Sequence, residues 1–130
     1  MFDGVTAIVI DDDLDSVEIF SEYLEIKGIS VIGKGYDGKE AVVIYLKLRP
    51  KVIFLDIMMP NYDGFYAIEH ILKSDPDAKI IVVTADMTSH TATRLEEHGI
   101  PVVYKPYELD TIMTVVENII KDGFSRKLRL

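Results

Sequence analysis

The chain has 130 residues, a length typical of one domain, and 48% of them are hydrophobic while 28% are charged. This composition excludes a long disordered region, and the absence of cysteine excludes disulfides, thiolate nucleophiles and cysteine-based metal sites. The formal net charge of -8 disfavours general binding to nucleic acid or an anionic membrane, so a protein or a cation is the expected partner. Without a signal-peptide pattern or an apolar run of about 20 residues, the chain is expected to be cytoplasmic, with no membrane insertion.

Five short runs rich in β-branched residues recur along the chain, and each precedes a segment with helical spacing. The predicted strands are residues 5–10, 29–33, 52–55, 79–84 and 101–104. Several runs are apolar at consecutive positions, which indicates a parallel sheet with helices on both faces. The pattern predicts an α/β domain with five helices and strand order 2-1-3-4-5, the flavodoxin-like arrangement. In this type of fold, ligands bind outside the carboxyl ends of strands 1 and 3.

Capping residues and apolar spacing place the helices between these strands. Helix starts are indicated by Asp37 with Glu40, by Asp63, and by Thr88 or Ser89, while Gly28 and Gly99 indicate helix ends. The buried side of the first helix is predicted to carry Val17, Phe20 and Leu24. The buried side of the last helix is predicted to carry Leu109, Ile112, Met113, Val116 and Ile120.

Carboxylates follow the first and third predicted strands. Asp11, Asp12 and Asp13 end the first, and Asp56 ends the third, so the fold brings at least three carboxylates to one crevice. Close like charges either raise each other's pKa or bind a cation, and an all-oxygen site suits Mg²⁺. Asp13 and Asp15 are more simply interpreted as caps of the first helix.

A hydroxyl and an ammonium are expected at the same edge. The fourth strand ends in Thr84 and Ala85, and the fifth is followed by Lys105. Together with a carboxylate nucleophile and a metal, these groups are the parts needed to accept a phosphoryl group, and the small Ala85 leaves room for the donor.

Four motifs in this order resemble the receiver domain of two-component response regulators over residues 5–121. They are VIDDD at 9–13, FLDIMMPNYDG at 54–64, VTA at 83–85 and KP at 105–106. The resemblance implies that Asp56 accepts phosphate from a sensor histidine kinase or a histidine phosphotransfer protein. It also implies that a downstream target protein reads the phosphorylated surface, without direct nucleic-acid binding.

The resemblance also implies the metal and phosphate contacts. Asp12 and Asp56 would bind Mg²⁺ directly, Asp11 mainly through water, and Met58 through its backbone carbonyl. Thr84 would hydrogen-bond a phosphoryl oxygen, and Lys105 would pair with the phosphate or with Asp56. The Lys105–Pro106 bond is expected to be cis.

The sequence departs from the family at one position in the fifth strand. Many receivers have Tyr or Phe three residues before the lysine, coupled to the threonine, and here that position is Val102. Tyr104 is a substitute candidate for the switch with Thr84 and Ala85, although the sequence favours a surface or packing role for Tyr104. Asp86 and Met58 occupy positions at which the family tunes dephosphorylation.

The predicted domain boundaries are 1–124 for the receiver and 125–130 for a basic C-terminal tail. The expected protein is a stand-alone receiver, not an enzyme beyond its own phosphorylation and dephosphorylation. A chemotaxis-type regulator, a phosphorelay intermediate and a piece of a longer regulator all remain open. The enzymatic alternative is a small Mg²⁺-dependent phosphatase with Asp11 as nucleophile and Asp13 as the second acid.

Two further patterns are interpreted as structural. Residues 33–38, GKGYDG, match the dinucleotide-binding glycine pattern, but the preceding strand would lie at the sheet edge and Asp37 would repel pyrophosphate. Asp11 to Asp13 would likewise repel the phosphate of FMN. The three histidines, His70, His90 and His98, lack metal-ligand spacing and are expected to serve surface or packing roles.

Overall fold

The computed structural model describes residues 2–121, so the predicted tail 125–130 and the predicted domain end at 124 lie outside the described residues. The strands are β1 Thr6–Ile10, β2 Ser30–Gly35, β3 Val52–Leu55, β4 Ile80–Thr84 and β5 Val102–Tyr104. The helices are α1 Leu14–Ile26, α2 Gly38–Leu48, α3 Gly64–Ser74, α4 Ser89–Glu97 and α5 Leu109–Lys121. The alternation of five strands and five helices is as predicted.

All strand pairs are parallel, and the order is β2-β1-β3-β4-β5, which confirms the predicted flavodoxin-like topology. Every residue of β3 and β4 is buried, as expected for strands covered on both faces. Two apolar clusters, one on each side of the sheet, form the core.

The edge strand β2 extends further than its sequence indicated. It was predicted over 29–33 but runs through Lys34 to Gly35, and most of its residues are only partly buried. Its register against β1 shifts between Ala7 and Ile8, which leaves Ile32 out of the pairing and exposed. Because an edge strand is half-solvated, its end lacks the apolar signal that marks the central strands.

Local capping explains where four helices begin. Asp13, Asp37, Asp63 and Thr88 each accept a backbone hydrogen bond from the first turn of the helix that follows. The predicted cap roles of Asp13, Asp37 and Asp63 are therefore confirmed, and Thr88 rather than Ser89 caps α4. Gly28 and Gly99 adopt φ of 94° and 67° after α1 and α4, the left-handed conformation that glycine provides at helix ends.

The prediction of a buried Leu109 on α5 is wrong. Leu109 is 39% exposed because it begins the helix beside the loop at Pro106 and Tyr107, beyond the apolar surface of the sheet. The buried stripe consists of Ile112, Val116 and the unpredicted Ile119, and Met113 and Ile120 are partly buried against it.

Among residues 2–121, no helix has the length and hydropathy needed to span a membrane.

Candidate functional site

The predicted carboxylates converge at the carboxyl ends of β1 and β3. The backbone N–H of Asp56 donates to the Ile10 carbonyl at 3.0 Å, which places the residues after the two strands side by side. Asp11 and Asp56 are 8% and 7% exposed, whereas Asp12 points to solvent. One carboxylate oxygen from each of the three lies within 4.8 Å of the others. The cluster therefore offers several hard oxygen ligands in one place, as Mg²⁺ requires.

Lys105 joins the two buried carboxylates. Its Nζ lies 2.7 Å from Asp11 Oδ2 and 3.2 Å from Asp56 Oδ2. The Lys105 backbone N–H donates to the Thr84 carbonyl at 2.9 Å, which continues the β4–β5 pairing to the site, and the Lys105–Pro106 bond is cis, as expected. Burial by itself disfavours the ammonium, but the hydrogen bond to Asp11 and the two negative charges outweigh it and raise the pKa of Lys105 above 10.5. The ammonium is thus present at neutral pH.

Backbone donors hold the other oxygen of Asp56. Asp56 Oδ1 accepts from the Ile57 N–H at 2.7 Å and more weakly from the Met58 N–H at 3.4 Å. With Lys105 on Oδ2, both oxygens of this carboxylate are fixed in position.

The environment of Asp12 disfavours its ionised form. Desolvation, a hydrogen bond to Asp11 and the negative charge of Asp11 raise the pKa of Asp12 above its usual value. A divalent cation in the cluster would remove this repulsion, so the donor set fits Mg²⁺.

Thr84 is completely buried at the end of β4. Its Oγ1 accepts a hydrogen bond from the Asp86 N–H at 3.2 Å. That bond uses a lone pair of the hydroxyl and not its proton, so Thr84 retains the capacity to donate to an oxygen at the site. The neighbouring Ala85 is exposed, which leaves the approach to the site open on this side.

The remaining predicted residues lie around this centre. Tyr104 is paired in register with Thr84 and is half-buried in a cleft of about 530 Å³ between α4 and α5. Val102 lies two residues before Tyr104 on β5, where it pairs with Val82 and packs against the core. Met58 is 61% exposed at the mouth of the site.

Comparison with known proteins agrees with this geometry. The family model of the response regulator receiver domain matches residues 7–117. The chain belongs to this family. The receiver is 32% identical to Protein CcdB of Bacillus subtilis, over 88% of this chain and 98% of that one. It is 37% identical to the chemotaxis protein CheY of Thermotoga maritima, over 63% of this chain and 68% of that one.

Solved structures share the fold of the receiver. The CheX-CheY-BeF3-Mg+2 complex from Borrelia burgdorferi includes a chain that superposes with a TM-score of 0.84 at 23% identity, over 89% of both chains. A CheY-like receiver domain protein from Methanospirillum hungatei gives a TM-score of 0.85 at 18% identity, over 92% of this chain and 95% of that one.

A cleft of about 480 Å³ opens beside the carboxylates of the receiver. Its apolar wall includes Phe20 and Tyr107, whose rings meet edge to face at 5.7 Å, and Phe20 continues to Phe54 at 5.0 Å. Burial raises the pKa of Tyr107. Sequence reasoning missed Tyr107, although its position directly after the Lys-Pro pair is the signal that could have identified it.

The glycines at 33–38 are accounted for by packing within the receiver. A Cβ at Gly33 or Gly35 would meet side chains of β1 and α2 within about 3 Å, the nearest contacts being Ile44 Cγ2 at 2.8 Å and Ile10 Cδ1 at 2.9 Å. A Cβ at Gly38 would collide with the backbone carbonyl of Asp63. These approaches explain the pattern without a dinucleotide.

The histidines lie apart, on α3 and at the two ends of α4. His70 contacts the Tyr66 carbonyl at 2.8 Å and stacks on the Tyr66 ring, which is a surface packing role. Among the described residues, the three-residue group able to hold a metal is the aspartate cluster, and no histidine is part of it.

Proposed function

We propose that the receiver accepts a phosphoryl group on the carboxylate of Asp56 from a phosphohistidine of a sensor histidine kinase or a phosphotransfer protein. In this step a carboxylate oxygen of Asp56 forms the new P–O bond, and the P–N bond to the donor histidine breaks, with the electron pair leaving on the imidazole. The observation that carries the proposal is a buried carboxylate fixed by backbone N–H groups and Lys105, beside two further aspartates. The chemistry acts on the chain itself, so the protein is a signalling module.

The aspartate cluster would hold Mg²⁺ through Asp12 and Asp56, with Asp11 contributing through water and Met58 through its backbone carbonyl. The bound ion supplies positive charge that offsets the negative charge of the carboxylates and the incoming phosphoryl group. This assignment is supported by the hard oxygen donors of the cluster. Desolvation, together with the hydrogen bond and the negative charge of Asp11, raises the pKa of Asp12, and a cation would offset the part that is due to charge.

Lys105 and Thr84 are proposed to stabilise the transferred group. The ammonium of Lys105 already lies between two carboxylates and would pair with a phosphoryl oxygen once transfer occurs. Thr84 would donate its hydroxyl proton to a second oxygen. Ala85 would leave the space through which the donor approaches.

The output would be a change in the surface formed by α4, β5 and α5, which a downstream target protein reads. Phosphorylation replaces the single negative charge of the Asp56 carboxylate with the about 1.5 to 2 negative charges of a phosphoryl group, and it brings new acceptor oxygens to the site. Tyr104 is half-buried in the cleft of this surface and paired with Thr84, which supports a place for Tyr104 on the surface that the target protein reads.

The hydrogen bonds that Asp13 accepts as a helix cap argue against the phosphatase alternative. Its carboxylate accepts hydrogen bonds from Ser16 Oγ at 3.0 Å and from the Asp15 N–H at 3.1 Å, as a helix cap. The hydrogen bond from Ser16 lowers the pKa of Asp13, which is the wrong direction for a general acid.

Phosphate incorporation into matched variants tests this function. Wild type, Asp56→Asn and Asp11→Asn would be incubated with acetyl phosphate and Mg²⁺, and their intact masses measured. We expect a single hydroxylamine-labile phosphate on wild type, none on Asp56→Asn, and slower incorporation into Asp11→Asn. Incorporation that persists in Asp56→Asn but is lost in Asp11→Asn would replace this proposal with the phosphatase-like alternative.

A further inference from the structure

The side chain of Asp86 ties the loop after β4 to the first turn of α4. Asp86 Oδ1 accepts from the Thr88 N–H at 3.0 Å and from Thr88 Oγ1 at 2.8 Å, and Oδ2 accepts from Thr91 Oγ1 at 2.6 Å. The hydrogen bonds from Thr91 and Thr88 lower the pKa of Asp86, so its carboxylate is ionised at neutral pH. One carboxylate thus connects Asp86, Thr88 and Thr91 through charge-assisted hydrogen bonds, which are stronger than neutral ones.

The Thr88 hydroxyl has a double role in this set of hydrogen bonds. It donates to Asp86 and at the same time accepts from the Thr91 N–H at 3.3 Å as the cap of α4. Thr91 is only 4% exposed, so its buried hydroxyl depends on the Asp86 carboxylate as its acceptor. A displacement of Asp86 would therefore disturb both the cap and the buried face of α4.

The backbone N–H of Asp86 contacts the hydroxyl of Thr84, the group proposed to bind a phosphoryl oxygen. The Asp86 N–H donates to Thr84 Oγ1 at 3.2 Å, so one residue connects Thr84 to α4 through its backbone on one side and its carboxylate on the other. Donation of the Thr84 proton alone leaves this bond in place, whereas a rotation of the Thr84 side chain that moves Oγ1 toward a phosphoryl oxygen removes the acceptor of the Asp86 N–H.

On β5, the position three residues before Lys105 carries Val102 and not the aromatic residue that many receivers couple to the threonine. Val102 packs against the core on β5, and Tyr104 already lies in the cleft between α4 and α5. We propose that Asp86 carries the phosphorylation signal from Thr84 to α4, as the positioning residue that links them. This inference rests on the proposed function, because it requires a phosphoryl group on Asp56.

Hydrogen–deuterium exchange of the peptide covering 86–97 tests the link, with acetyl phosphate and Mg²⁺ present or absent. The phosphorylated fraction is measured by intact mass on the same samples. In wild type we expect phosphorylation to change amide protection in α4 by about fivefold or more, the lower range of allosteric coupling. Asp86→Ala keeps the N–H bond to Thr84 but removes the carboxylate, and we expect its α4 protection to respond by less than about twofold.

Three further variants separate signalling from helix fraying. Thr91→Val keeps the Thr88 cap and similar volume, so its unphosphorylated α4 should exchange like wild type while its response to phosphate falls. Asp37→Ala removes the cap of α2, a helix that packs against β1, β2 and α3, and should respond like wild type. Tyr104→Ala should also retain the α4 response.

Full wild-type responses in Asp86→Ala and Thr91→Val would overturn the inference. Loss of the response in Tyr104→Ala alone would assign the signal to β5 instead. A wild type whose mass shows no phosphate would contradict the proposed function itself, and the mass measurement distinguishes that failure from a failure of the Asp86 link.

Discussion

Lys105 occupies an unusual position for a lysine, between the carboxylates of two buried aspartate residues. Its ammonium offsets the repulsion between Asp11 and Asp56, and the net attraction holds its pKa above the usual value. The ammonium therefore stabilises the pair of carboxylates, and under the proposed function it would also offset the charge of the phosphoryl group.

We expect Lys105→Met to lower the free energy of unfolding at pH 7 by about 1–2 kcal/mol, since it removes charged hydrogen bonds from two buried carboxylates. The pKa of Lys105 is raised on folding, so its stabilising contribution is complete below pH 10.5 and is lost as the pH rises through the folded pKa. The difference from wild type should thus be constant between about pH 7 and pH 9.

Urea denaturation at several pH values measures this difference. Lys34→Met is the matched control, because the Lys34–Glu18 pair is a solvent-exposed ion pair and should contribute about 0.5 kcal/mol or less. Equal losses in the two variants would contradict the role given to Lys105.

At the scale of elements, the backbone at the start of α2 lies in direct contact with the backbone of the loop after β3. The Gly38 N–H donates to the Tyr62 carbonyl at 2.7 Å, and there is no space for a Cβ against the Asp63 carbonyl. This contact brings the loop that follows Asp56 against a helix on the same side of the sheet.

We expect Gly38→Ala to lower the free energy of unfolding by about 1–3 kcal/mol, because the loop backbone must move to admit the methyl group. Val43→Ala on the exposed face of α2 is the control and should stay within about 0.5 kcal/mol of wild type. Thermal unfolding of both variants measures the effect. An unchanged free energy of unfolding in Gly38→Ala would contradict the steric role given to this glycine.

The order of the elements was predictable, and their ends were less so. The consecutive apolar residues of β3 and β4 identify central strands, and strand order then places Asp56 and Thr84 at one edge. The end of β2 was not predictable, since an edge strand has a weaker apolar pattern. The exposure of Leu109 depends on how far α5 extends past the sheet, and helical spacing does not encode that distance.

The site was predictable to a similar degree. Asp11, Asp12, Asp56 and Lys105 follow predicted strand ends, so topology alone brings them together. The contacts of Asp86 depend on side-chain geometry in the loop before α4, where the sequence left the capping residue open between Thr88 and Ser89.

For the whole molecule, the formal charge of -8 and the concentrated aspartates make the response to cations informative. We expect Mg²⁺ at about 100 times its dissociation constant to raise the free energy of unfolding by about 2.7 kcal/mol, because it binds only the folded cluster. Chelation should reverse the effect. Thermal or urea unfolding with and without Mg²⁺ measures it.

Asp12→Asn should change both the stability without Mg²⁺ and the increase in stability that Mg²⁺ brings. The raised pKa of Asp12 shows that its ionised form is disfavoured in the folded chain, so the variant should be more stable than wild type without Mg²⁺ and gain less from Mg²⁺. Asp15→Asn, on the first turn of α1 outside the cluster, should keep the full Mg²⁺ response. An unchanged response in Asp12→Asn would remove Asp12 from the metal site.

The central claim is that phosphate is carried by the carboxylate of Asp56, and chemical trapping tests it most directly. The receiver would be phosphorylated with acetyl phosphate and Mg²⁺ and reduced with borohydride, which converts an aspartyl phosphate to homoserine, and the digest sequenced by mass spectrometry. We expect homoserine at position 56, dependent on Mg²⁺. Homoserine at position 11, or at neither position although the intact protein carries phosphate, would contradict the account.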